Sequence, residues 1–343
     1  MAKRIVLSFD GTWNKTADTG GDAIGAPTNV ARFHGAVLPT GPDGLTQIKR
    51  YIAGVGTAWY DRFTGGGLGL GVSNNMAEGY RWLAEAYEDG DAVFVVGFSR
   101  GAYTARALCG FIAKCGLLTA ANVSDETIAN AYAYYKDRAL DASAFRAQYA
   151  REINIAFLGV WDTVGALGIP LRALDGLNDF LFAFHDRTLS TIVDRAYHAL
   201  ALDEHRADYE ACLWDAKPRD AQVMEQRWFS GDHCDAGGGH TRAAALDPYL
   251  ADLTLAWMMR KATDAGLGID PVQVPGRLER CGEAECHDTY LTFLDGVYAQ
   301  ANPRYARPVG ATRAGNEAVD DTVYARRAQD LTYRPTNPGL RPL

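Results

Sequence analysis

Ser99 stands in V-F-V-V-G-F-S-R-G-A-Y-T, residues 93–104, a setting suited to nucleophilic chemistry. A β-branched and aromatic run ends at Gly97, Gly101 follows two residues after the serine, and an alanine-rich helical segment comes next. Strand, sharp turn and helix with G-x-S-x-G at the turn make a nucleophile elbow: the glycines allow a bend tight enough to lift the hydroxyl clear of the sheet. The positive end of the next helix then faces any anion formed there. A serine that merely caps that helix is the plain alternative, but capping requires no glycine on either side. A serine hydroxyl is a weak nucleophile and needs a base oriented by a third group. Residues 153–161, I-N-I-A-F-L-G-V-W, read as a strand that ends at Asp162, where an acid belongs; a simple turn cap is the alternative there. W-F-S-G-D-H-C-D-A-G-G-G-H, residues 228–240, places His233 on a glycine-rich loop after a late strand. The order Ser99, Asp162, His233 is that of serine hydrolases built on parallel sheets. His233, Asp235 and His240 also offer nitrogen and oxygen metal ligands, a competing reading that lacks helical i, i+4 spacing. His198 and His205 read as structural.

Acyl transfer further needs hydrogen-bond donors for an oxyanion. Residues 5–9 are an apolar strand breaking at D-G-T-W-N, so the backbone N–H of Gly11 or Thr12 is one candidate donor, and that of Arg100, just after the nucleophile, is the second. An Asx-type turn at Asp10 and Asn14 explains the same cluster without catalysis.

These residues require elements to position them. Apolar periodicity predicts helices over 28–37, 72–87, 102–113, 190–201 and 249–265, a helical surface hairpin over 124–149, and strands over 5–9, 48–53, 93–97, 153–161 and 226–230. Residues 54–71 are glycine-rich but lack the Lys-Ser/Thr of a phosphate loop. Residues 165–188 mix glycine, proline and clustered Leu and Phe, suggesting either a flap over the cleft or a core-packing insertion. Past Gly266 few regular runs occur. The expected fold class is α/β, a doubly wound, mostly parallel sheet with helices on both faces and a lid-like insertion at about 165–197. One catalytic domain over 1–300 and a packed C-terminal extension over 301–343 are expected.

A net charge of −8 gives no broad basic face, which excludes a nucleic-acid binder relying on phosphate contacts. The six cysteines lack paired C-x-x-C spacing, so neither zinc ribbon nor dense disulfide framework is expected, with Cys281 and Cys286 the one pair close enough to suggest a bridge. Without an apolar leader or spanning run, the chain is expected in the cytoplasm, with signal-independent export and peripheral membrane contact left open. No cofactor is called for.

As a set, F-D-G-T-W-N at 9–14, G-F-S-R-G-A-Y-T-A-R at 97–106, V-W-D-T-V-G-A-L-G-I-P at 160–170, H-A-L-A-L-D-E-H-R at 198–206 and W-F-S-G-D-H-C-D-A-G-G-G at 228–239 are telling. They resemble the α/β-hydrolase domain found as the catalytic core of type VI secretion phospholipase effectors, the Tle family. The resemblance runs from about residue 4 to about residue 260. It implies a serine esterase or phospholipase acting on a small acyl ester or lipid, with Ser99 as nucleophile, Asp162 as acid and His233 as base. The secreted effectors usually carry a further membrane-binding domain, which this sequence is expected to lack. It also reads H-C-D-A where relatives often read H-S-D-V.

Overall fold

The computed structural model describes residues 2–11, 26–54, 71–164, 187–241, 249–276 and 283–341, with residues 71–73 described by their backbone alone. Its centre is a parallel sheet of β1 (Arg4–Phe9), β2 (Gln47–Ile52), β3 (Ala92–Phe98), β6 (Ile155–Trp161), β7 (Arg195–Ala201), β8 (Val223–Phe229) and β9 (Glu317–Val319). Their spatial order is β2-β1-β3-β6-β7-β8-β9. Every neighbouring pair is parallel. A sheet covered on both faces needs strands that are apolar on both, which is why β1 and β3 read as largely hydrophobic runs.

The two faces follow the two-residue side-chain alternation. Ile5, Leu7, Val93 and Val95 meet α2 (Gly71–Ala86) and α3 (Arg100–Cys115) through Met76, Tyr80, Leu83, Leu108 and Phe111. Val6, Phe94, Val96 and Phe157 meet α1 (Asn29–Ala36) and α7 (Leu250–Asp264) through Val30, Phe33, Trp257 and Met258. Each such buried side chain contributes roughly 2 kcal/mol. Thr28 caps α1 through a bond from the Ala31 amide, as its position before the apolar run predicts. Residues 124–149 form two helices, α4 (Asp125–Lys136) and α5 (Ser143–Tyr149), flanked by a small antiparallel pair of β4 (Leu117–Leu118) and β5 (Ala150–Arg151). A reciprocal box between Ser124 and Thr127 starts α4.

Two expectations are overturned. Residues 190–201 do not form a helix; Arg195–Ala201 is strand β7, between β6 and β8. Alanine-rich R-A-Y-H-A-L-A favours helix by propensity, but Ala196 and Leu200 pack on one side and Tyr197 and Ala199 on the other, so pairing and burial on both faces decide. β7 therefore also takes residues 195–197 of the stretch read as an insertion. Nor does the sheet end with β8. β9 pairs alongside it, and α10 (Asp321–Gln329) follows, so the stretch past Gly266 holds more regular structure than its proline and arginine content suggests. The short helices α6 (His233–Gly237), α8 (Thr289–Thr292) and α9 (Val297–Ala301) complete the elements used below. The glycine-rich 55–70, the flap residues 165–186, Thr12 and Cys281 lie outside the described residues.

Candidate active site

The strand order reverses between β1 and β3, and a crevice at the carboxyl ends of parallel strands opens at such a point. Ser99 follows β3 there. Its backbone sits at φ 56°, ψ −122°, a region that non-glycine residues rarely adopt. The flanking glycines are sterically required: a Cβ on Gly97 would lie 2.5 Å from the Gly101 carbonyl oxygen, and one on Gly101 would lie 2.2 Å from that of Phe9. The Ser99 amide donates to the Trp161 carbonyl at 3.1 Å, anchoring the turn to the end of β6.

Asp162 is the first residue past β6 and His233 the first of α6. The structure brings both to Ser99: His233 Nδ1 lies 2.6 Å from Asp162 Oδ2, and His233 Nε2 lies 2.8 Å from Ser99 Oγ. An ionised carboxylate only accepts, so Nδ1 carries the proton and Nε2 presents its lone pair to the serine hydroxyl. Burial alone would raise the Asp162 pKa, but the Arg307 guanidinium and the His233 hydrogen bond outweigh it and hold the carboxyl well below its usual range. The imidazole is buried between rings, with Phe98 at 4.6 Å and Tyr209 edge-on at 5.2 Å. Asp232 caps α6 by accepting from the Cys234 and Asp235 amides, so the same turn that ends β8 orients the histidine.

Sequence reasoning missed the groups behind this trio. Arg307, fully buried, donates from Nη1 to Asp162 Oδ1 at 2.6 Å and from Nη2 to Oδ2 at 3.1 Å, and also reaches the Ala201 and Tyr209 carbonyls. Nothing local marks it, because it is one arginine in a tail with several. His198 accepts the Thr163 amide on Nε2 at 3.0 Å, steadying the residue after Asp162. Burial, helped by Arg106, lowers its pKa to about 3, so it stays a neutral acceptor. His205 bonds the Tyr305 carbonyl through Nδ1. Both are structural, as their sequence context suggests. Glu204 takes a two-pronged bond from Arg206, whose guanidinium lies 3.6 Å over the Tyr209 ring that meets His233.

Of the expected oxyanion donors, Arg100 opens α3 and Gly11 follows the end of β1. The Gly11 N–H donates to Asp10 Oδ1 at 2.6 Å. Asp10 itself is buried, accepts from Thr28 Oγ1 and Tyr51 Oη, and burial raises its pKa to about 6. The competing metal set is rearranged. His233 is committed to Ser99 and Asp162, while Asp235 and His240 are joined by His287, with ligand atoms within 4.8 Å of one another. Two cavities of about 420 and 700 Å³ open elsewhere, and neither is lined by Ser99, Asp162 or His233. Among the described residues no helix is long and apolar enough to cross a membrane.

Residues 3–261 match the family model described as type VI secretion phospholipase effector, Tle1-like, catalytic domain. The chain is 29% identical over 245 residues to an uncharacterized protein of Saccharomyces cerevisiae, covering 63% of this chain and 33% of that protein. It is similar in structure to a Tle1 effector bound to the VgrG spike of the type 6 secretion system, with a TM-score of 0.50, 16% identity, and 96% and 83% of the two chains covered. An uncharacterized protein from Pseudomonas aeruginosa aligns at a TM-score of 0.47 and 20% identity, over 88% of this chain and 51% of that one. The chain thus spans about a third of the yeast relative and about half of the bacterial one. The likeness to the Tle1 effector structure is one of fold.

Proposed function

The chain belongs to the Tle1-like phospholipase effector family of type VI secretion systems, in its catalytic domain, and on that premise we propose that it cleaves carboxylic esters of lipids through a Ser99–His233–Asp162 triad. The observation that carries this reading is the unbroken pair of hydrogen bonds, 2.8 Å and 2.6 Å, running from Ser99 Oγ through one buried imidazole to one ionised carboxylate. As the hydroxyl attacks the acyl carbonyl, His233 Nε2 takes its proton. Asp162 keeps the ring in the required tautomer and stabilises the imidazolium. The Arg100 backbone N–H at the start of α3 supports the oxyanion, and the amide of Gly11 or Thr12 is the second donor. For Gly11 this means exchanging its bond to Asp10 for one to substrate. His233 then gives its proton to the leaving alcohol, and water, deprotonated by the same imidazole, releases the acid.

Phospholipid is the substrate class that the family favours, reached by peripheral contact with a bilayer after export through a type VI machine. The test uses p-nitrophenyl acyl esters and phospholipid vesicles alongside a serine-directed fluorophosphonate. Ser99→Ala is expected to lose at least about 10⁴-fold in kcat and all labelling, and His233→Ala is expected to label barely at all. Activity of Ser99→Ala within tenfold of the parent, or equal labelling of His233→Ala, would refute the assignment.

A further inference from the structure

We propose that Asp235, His240 and His287 bind a divalent transition-metal ion of the zinc type, which ties α6, the helix that carries His233, to residues 285–288 ahead of α8. Nothing in the acyl-transfer chemistry uses these three side chains, yet they converge. One ligand atom from each lies within 4.8 Å of the other two, although 52 residues separate the ends of the set. A tetrahedral zinc site with bonds of about 2.1 Å spaces its ligands about 3.4 Å apart, so modest side-chain rotation closes the group around an ion. Two imidazoles and a carboxylate form a donor set that suits zinc, cobalt or nickel rather than calcium or magnesium.

Two buried carboxylates beside the paired imidazoles add to the case for an ion here. Asp232 and Asp235 lie one helical turn apart and both are buried. Among the described residues their ion-pair partners are His240, 2.9 Å from Asp232, and His287, 2.8 Å from Asp235. The two imidazole rings lie face to face, with centroids 3.7 Å apart and planes 13° from parallel. Asp232 adds a further feature of built metal sites: with its carboxylate accepting from His240 Nε2, the other ring nitrogen keeps the lone pair that a metal takes.

The ion would act as a strut and not as a Lewis acid. The hydrogen bonds of Asp235, His240 and His287 run to Asp232, to one another and to neighbouring backbone, whereas both nitrogens of His233 are spent on Ser99 and Asp162. The proposal is therefore independent of the hydrolase reading.

The test takes the full chain, strips it with dipicolinate, and titrates it with Zn²⁺ by calorimetry and with Co²⁺ by visible absorption. One equivalent of Zn²⁺ is expected to bind and to raise the melting temperature by about 3 °C or more. Co²⁺ is expected to give the visible bands of a tetrahedral nitrogen and oxygen site. His240→Gln and His287→Gln should each weaken binding more than about tenfold and abolish the thermal shift. The parent's cobalt spectrum keeps the proposal falsifiable if either variant fails to fold. Absence of stoichiometric binding, unchanged affinity in both variants, or a thiolate-to-cobalt charge-transfer band would each overturn it. None of these readouts depends on turnover, so failure of the Ser99 assignment and failure of the metal site are separable.

Discussion

At Ser99 the backbone is held at φ 56° by packing on both sides, a conformation that costs a non-glycine residue about 1–3 kcal/mol. The elbow thus trades stability for the placement of a hydroxyl at the turn, and two variants separate these quantities. Ser99→Ala and Ser99→Gly both remove the proposed nucleophile, but only glycine adopts this backbone without penalty. Ser99→Gly is expected to unfold at least about 1 kcal/mol later than Ser99→Ala in matched denaturant titrations, with both inactive on esters. An alanine variant as stable as the glycine one would mean that the turn is unstrained. Ser99, Asp162 and His233 were legible in the sequence because each sits just past a readable strand, among residues that tolerate sharp turns. Arg307 was not, since its role comes from where the fold returns the tail, and no neighbour in the sequence records that.

Strand ends place the residues of the candidate site, and the end of β1 adds a buried titratable group. Strands β1, β3 and β6 were legible because burial on both faces makes them mostly apolar runs. β7 was misread because its alanines satisfy helix propensity and only its neighbours in the sheet reveal its two-faced alternation. Asp10, just past β1, accepts from Thr28, Tyr51 and Gly11, yet burial raises its pKa from an ordinary 3.8 to about 6. An acid whose folded pKa lies above its unfolded value destabilises the fold as pH rises between the two, here by an order of 3 kcal/mol from about pH 4 to pH 6. Asp10→Asn lacks that titration. Relative to the parent, the variant should gain about 2–3 kcal/mol of stability between pH 4 and pH 7.5, whatever fixed offset the amide introduces. Urea titrations across that range would show it, and a pH-independent difference would assign Asp10 an ordinary pKa.

Across the whole molecule, the C-terminal stretch braces the rim that the sheet presents. Tyr333 donates to Asp203 at 2.7 Å, Asn337 donates to the Leu202 and Arg307 carbonyls, and β9 extends the sheet beside β8. Through Arg307 this brace reaches Asp162, the proposed acid. Asp162, with its pKa depressed, contributes stability that is present above its unfolded pKa and is lost only as pH falls through the lower folded value. Replacing Arg307 by Met leaves a buried carboxylate with one less cation, a change that costs about 3–5 kcal/mol at neutral pH. Without the guanidinium the burial penalty dominates, so the Asp162 pKa rises in the variant. Acidification then relieves the variant before it harms the parent. The stability gap between the two should therefore be widest near pH 7 and narrow as pH falls toward 4, with kcat on short acyl esters depressed throughout. A gap that stays constant with pH would reduce Arg307 to a packing residue, because lost van der Waals contact has no protonation state to follow.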